Sequence, residues 1–93
     1  MSVLISVIVT TYNWPQALDA CLNSLFSQSD KHFEIIIADD GSASATHEQI
    51  AQSSIVSPVA LKHVYHEDQG FRAATIRNKA VAVSQGDYLI FVD

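Results

Sequence analysis

Ser2 to Thr10, SVLISVIVT, is an almost unbroken run of aliphatic and β-branched residues, and it constrains the fold more than any other feature of the chain. A strand with one wet face alternates apolar and polar residues. A run apolar at nearly every position has to be covered on both faces, which is the habit of parallel sheets flanked by helices. Phe33 to Ala38 (FEIIIA) repeats the pattern as a second strand. After a break at Pro58, Val59 to Tyr65 reads as a third and shorter strand, and Tyr88 to Val92 (YLIFV) as a fourth.

The intervening segments carry helical signals. Pro15 suits the first turn of a helix, where its missing N–H has no partner to lose, and Leu18, Cys21, Leu22 and Leu25 follow at helical spacing. A weaker helix is expected from about Thr46 to Ser53, and an alanine-rich one from Phe71 to Ser84 behind Gly70. Gln85-Gly86-Asp87 reads as a turn. The order β-α-β-α-β-α-β predicts parallel strands joined by right-handed crossovers. Without a linker, an internal repeat or a low-complexity tract, residues 1–93 form one unit. The last strand arrives at Asp93 without the loop or helix that would normally cover it, so a longer parent protein and an exposed β-edge are expected.

Composition narrows the partners. The chain is 48% hydrophobic and 16% charged, which is globular. A net charge of −5 with five Lys and Arg offers no basic surface to nucleic acid or acidic lipid. An anionic ligand has to be held by a few placed cations, by backbone N–H groups or by a metal. Cys21 is the single cysteine, so neither an intrachain disulfide nor a cysteine metal cluster can form, and its leucine neighbours make it a buried structural thiol. Val3 to Val9 is too short to span a bilayer and lacks the basic flank and cleavage site of a signal peptide. The expected compartment is the cytoplasm, with a peripheral position at the inner face of the membrane as the alternative.

In open parallel sheets ligands bind beyond the carboxyl ends of the strands, where neighbouring connections diverge. That rule selects Thr10 to Asn13, Asp39 to Ser42, His66 to Gly70, and Asp93. Acid is concentrated along this edge. Asp39 and Asp40 repel one another, so turn N–H groups, a cation or a ligand donor must compensate them. Gly41 permits a tight turn and Ser42 could cap the next helix. The bland reading is a capped strand-to-helix turn; the functional one is recognition of a pyrimidine imide N–H or of ribose hydroxyls.

Thr10 to Pro15 contains no glycine, so neither a dinucleotide fingerprint nor a Walker A loop is present. Tyr12 and Trp14 could instead stack on a base, with a core position for Trp14 as the alternative. Arg72, Arg77, Asn78 and Lys79 form the dense cationic patch, either as a solvated helix face or with Arg77 reaching over the strand ends to a base carbonyl or phosphate. His66-Glu67-Asp68 is contiguous, so its side chains diverge and metal binding there is disfavoured. His32, His47 and His63 show no partner spacing and read as surface residues.

SVIVTTYN, SLFSQSDKHFEIIIADDGS, GFRAATIRNKAV and GDYLIFVD together resemble the family 2 glycosyltransferases of the GT-A fold, in the same order and over essentially the whole chain. HEDQGFR is similar to the galactosyltransferase-like branch that builds bacterial surface polysaccharides. The resemblance implies a truncated three-layer, Rossmann-like α/β half-domain, with four parallel strands in the order 3-2-1-4. It implies a nucleotide-sugar donor, usually a UDP-sugar, transferred with inversion to a saccharide or lipid-linked acceptor. By motif position, Thr10, Tyr12, Asp39 and Asp40 would surround the uridine and Arg77 would lie near the base or diphosphate. Asp93 would be the first acid of a D-x-D motif, near the ribose and a Mn²⁺ or Mg²⁺ ion. The family often has an acid shortly after DDGS, where this chain has Ala43-Ser44-Ala45.

The second D-x-D acid and a catalytic base are not in the sequence, so the chain alone is expected to be inactive. A sugar-nucleotide nucleotidyltransferase would carry a glycine-rich basic loop after the first strand. A receiver-type phosphoacceptor domain would place its acidic pair there. A non-catalytic module that self-associates through the edge of the fourth strand is the reading outside enzymology.

Overall fold

The computed structural model of the chain describes residues 3–68, 70 and 72–92. Its elements are β1 (Ile5–Thr11), α1 (Pro15–Phe26), β2 (Phe33–Asp39), α2 (Ser44–Val56), β3 (Leu61–Tyr65), α3 (Ala73–Val83) and β4 (Tyr88–Val92). The four strands form one parallel sheet in the order β3-β2-β1-β4, as the resemblance implied.

Side-chain alternation divides the two central strands between two cores. Val7, Val9, Ile35 and Ile37 pack with Leu18 and Leu22 of α1 and Ile50 of α2. Ile8, Ile36 and Ala38 face the other way, onto Ile76 and Ala80 of α3. Ile8, Ile35, Ile36 and Ile37 are fully buried, which is why these strands read as continuous apolar runs. Pro15 opens α1 as expected. Cys21 is only half-buried, beside the first of these cores, and burial raises its thiol pKa.

Glu34 fastens the amino end of the sheet. It is buried, and its Oε2 accepts the Ser6 hydroxyl and the Gln85 N–H, both at 2.6 Å, while Oε1 lies 3.1 Å from Lys62 Nζ. Burial raises the Glu34 pKa, but the Ser6, Gln85 and Lys62 contacts outweigh it and hold the carboxyl below its ordinary range. Gly86 passes close to β1: a Cβ there would stand 2.6 Å from the Ser6 nitrogen.

α2 begins earlier than its weak periodicity suggested. Ala43 rather than Ser42 is its N-cap residue, without a side-chain cap. The Ser42 hydroxyl accepts the Asn13 N–H at 2.8 Å instead, and Asn13 Oδ1 accepts the Ala43 N–H at 2.8 Å. This reciprocal pair ties the loop after β1 to the turn after β2, with Asn13 in the left-handed region at φ 44°.

Candidate functional site

In the order β3-β2-β1-β4, β1 pairs with β2 on one side and with β4 on the other, so the connection after β1 and the connection leading into β4 leave it in opposite directions. The carboxyl end of β1 therefore lies where the strand order reverses, between helices on opposite faces. A cavity of about 570 Å³ opens there, reaching from Leu18 and Cys21 of α1 to Ile76 and Arg77 of α3. Its floor is aliphatic and its rim is polar. Thr10, Tyr12, Asp40 and Arg77 all line it, and Thr10 Oγ1 stands 3.5 Å from the Val92 carbonyl. Asp93, placed at this site from sequence, lies outside the described residues.

Two aromatic side chains stand at the cavity. Trp14 is 65% exposed and Tyr12 is 49% exposed, so the core position considered for Trp14 is not adopted. The short loop at residues 12–14, between β1 and α1, leaves both rings outside the apolar layers. The Tyr12 hydroxyl donates to Asp68 Oδ2 at 2.7 Å, and this bond to an anion is the main reason its pKa is raised.

Asp40 is fixed from behind. Its Oδ1 meets His66 Nε2 at 2.5 Å and its Oδ2 accepts the Arg72 N–H at 3.0 Å. Its own N–H donates to the Thr11 carbonyl at 3.0 Å. His66 and Asp68 do diverge, as their contiguity implied: one turns to Asp40 and the other to Tyr12. Gly41, at φ 93°, makes this arrangement possible, because a Cβ there would come within 2.5 Å of Asp68 Cα.

The adjacent acid goes elsewhere. Asp39 ends β2 with the parity of Ile35 and Ile37, so it points to the α1/α2 side and does not line the cavity. It is fully buried. Oδ1 accepts the Ser42 N–H at 2.8 Å, and Oδ2 lies 2.9 Å from His63 Nε2 and 3.2 Å from His47 Nε2. Burial raises its pKa, but the His63 and Ser42 contacts prevail and hold it low. His63 and His47 are thus not free surface residues: their side chains are 16% and 33% exposed and both meet the same carboxylate. Sequence spacing could not reveal this, because β2–β3 register and the entry of α2 create the cluster. His32 is exposed.

Among the described residues no helix is long and apolar enough to cross a membrane.

Residues 6–93 match the profile described as glycosyl transferase family 2. The chain is 34% identical over 92 residues to validoxylamine A glucosyltransferase of Streptomyces hygroscopicus subsp. jinggangensis, an alignment covering 97% of this chain and 21% of that one. It is 33% identical over 93 residues to the glycosyltransferase GlyG of Streptococcus pneumoniae serotype 4, covering 100% of this chain and 30% of the relative. The crystal structure of S. aureus TarS 1-349 superposes with a TM-score of 0.83 at 33% identity, over 96% of this chain and 26% of that one. The chain thus spans between about a fifth and a third of these proteins, with shares of 21%, 30% and 26%. Over that span it has the strand order and helical layers of a GT-A half-domain. The chain belongs to glycosyl transferase family 2.

Proposed function

We propose that the chain binds the nucleotide of a UDP-sugar, for an inverting, metal-assisted transfer to a saccharide or lipid-linked acceptor that requires residues beyond this chain. The cavity at the carboxyl end of β1 carries this reading. It offers two exposed aromatic rings, an oriented carboxylate and a guanidinium around an aliphatic floor. Uracil presents a flat face and an imide N–H. Tyr12 or Trp14 supplies the face to stack on, and Asp40 retains lone pairs to accept the N–H. Arg77 suits a base carbonyl or a diphosphate oxygen. Asp39, expected from sequence at the same ligand, supports the site from the opposite side of the turn.

A divalent ion would neutralise charge building on the diphosphate as it leaves. Among the described residues, the group of three metal-type donors that come together is Asp39, His47 and His63, away from the cavity. The metal reading at the cavity therefore rests on Asp93, outside the described residues, together with a second acid the chain does not contain. Proton abstraction from the acceptor likewise needs a base from elsewhere, so the chain alone is proposed to be inactive.

Titration of the chain with UDP, followed by NMR shifts at Tyr12 and Arg77, tests the assignment. Asp40→Ala should weaken UDP binding by about tenfold or more, roughly 1.4 kcal/mol. Equal shifts and affinity in that variant would refute the uridine assignment, and sugar transfer by the purified chain would refute the proposed inactivity.

A further inference from the structure

We propose that Asp39, His47 and His63 form a binding site for a zinc-class divalent ion, separate from the nucleotide cavity. The three residues come from three elements. Asp39 is the last residue of β2, His47 lies in the first turn of α2, and His63 is the central residue of β3. In the β2–β3 register His63 pairs with Ile37, two positions before Asp39, so its side chain emerges on the same face as Asp39. α2 covers that face from above and adds His47.

The distances suit an ion. A tetrahedral zinc site with Zn–N and Zn–O bonds of about 2.0–2.2 Å sets its donor atoms roughly 3.3 Å apart. Asp39 Oδ2 already lies 2.9 Å from His63 Nε2 and 3.2 Å from His47 Nε2, and the three donors fall within 4.8 Å of one another. The remaining edge closes by a shift of at most about 1.5 Å towards that tetrahedral spacing. His47 can supply it, because its ring is one-third exposed at the start of a helix.

The donor set selects the metal. Two imidazoles and one carboxylate suit zinc, cobalt or nickel, whereas Mg²⁺ and Ca²⁺ favour oxygen throughout. Three protein ligands leave a fourth position for water. A cleft of about 360 Å³, lined by His47 together with Gly41, Ser42, Tyr65 and His66, gives solvent and ion a route to it. The surroundings orient the ligands. Ser42 N–H holds Asp39 Oδ1 at 2.8 Å, and the Tyr65 ring packs against His47 and His63 with centroids 4.7 and 4.9 Å away. A bound ion would clamp the first turn of α2 to β2 and β3. Through Ser42 and Asn13 it would also brace the loop that carries Tyr12.

Zn²⁺ titration of the untagged, EDTA-stripped chain, with Co²⁺ as the optical probe, tests this site. One equivalent of Zn²⁺ should bind and raise the melting temperature. Co²⁺ should give the visible absorption of a tetrahedral N/O site. His47→Ala, which removes one partner of the buried Asp39, should lower the metal-free melting temperature while keeping the far-UV circular dichroism of the fold, and should lose at least tenfold in Zn²⁺ affinity. His63→Gln should lose as much, while His32→Ala should bind like the parent chain. Absence of saturable Zn²⁺ binding, or equal affinity in the parent and His47→Ala, would overturn the proposal and leave Asp39 as a hydrogen-bonded anchor only. UDP titration in EDTA reads the nucleotide cavity independently, so failure of one site does not imply failure of the other.

Discussion

Substituting Gly41 by alanine should damage the fold and the cavity together, and Gly70 provides the comparison that separates the two causes. Both glycines sit in the left-handed region, at φ 93° and φ 84°. An L-residue there costs about 1–2 kcal/mol, so each Gly→Ala change should lose that much. At Gly70 nothing more is expected, because no heavy atom lies within 4 Å of the added Cβ. At Gly41 the Cβ would stand 2.5 Å from Asp68 Cα and 2.6 Å from Asp68 N. These are backbone atoms and cannot rotate away. Ordinary carbon contacts lie near 3.5–4.0 Å, so the His66–Asp68 segment would have to withdraw by about 1 Å. Overpacking of this kind adds roughly 1–3 kcal/mol. Gly41→Ala should therefore lose about 2–5 kcal/mol in all, against about 1–2 kcal/mol for Gly70→Ala. The same withdrawal would draw His66 from Asp40 and Asp68 from Tyr12, so UDP affinity should fall by about tenfold in Gly41→Ala. Urea denaturation followed by far-UV circular dichroism reads the stabilities. Coincident midpoints at equal m-values for the two variants would refute the collision at Asp68.

Glu34→Ala should cost about 2–4 kcal/mol in the same assay, since it removes the partners of the buried Ser6 hydroxyl and the Gln85 N–H. A loss below about 0.5 kcal/mol would contradict that role. Lys62→Met should cost much less, because Lys62 is 34% exposed at its side chain and its ion pair is screened. Asp39 and Glu34 both have folded-state pKa values below their unfolded ones. Their stabilisation is fully present above the unfolded values, near 4, and is lost as pH falls through the folded values. The melting temperature should accordingly drop as pH is lowered from about 5 to 3, and a rise across that window would refute the linkage. We also propose self-association through β4, which pairs only with β1 among the described residues and exposes Tyr88 by 65% and Phe91 by 50%. Sedimentation should show dimers at high concentration; a monomer throughout would remove the proposal.

The strands and the sheet edge that carries the cavity were legible because each depends on a regular property of the chain, whereas the strand order was implied by the resemblance of the four motifs to family 2 glycosyltransferases. Unbroken apolar runs require two covered faces, and a reversal in strand order opens a crevice. Helix limits were less legible: α2 runs from Ser44 to Val56, beyond the expected Thr46 to Ser53, because its apolar stripe is weak. Trp14 was ambiguous because size and apolarity suit either a core or a ligand. The partners of His47, His63 and His66 were hidden, since each meets an aspartate from another element. For Asp39 a signal did exist. Its parity with Ile35 and Ile37 assigns it to the α1/α2 side, whereas treating DD as one unit assigned both acids to one ligand.

That division answers the electrostatic problem posed by two adjacent carboxylates. Asp39 is compensated internally, by the Ser42 N–H and two imidazoles, and its burial makes it part of the sheet's support. Among the described residues Asp40 is compensated by His66 and the Arg72 N–H, and it also lines the cavity. A carboxylate held by two donors has its orientation set before any ligand arrives, so less freedom is lost when it accepts a further N–H. His66 and Arg72, which fix it, lie between β3 and α3, where Gly41 admits Asp68 to within contact distance of the turn. The small residue in the DDGS motif and the acids before it are therefore parts of one device: the glycine admits the segment that aims the second acid, while the first acid holds the turn in place.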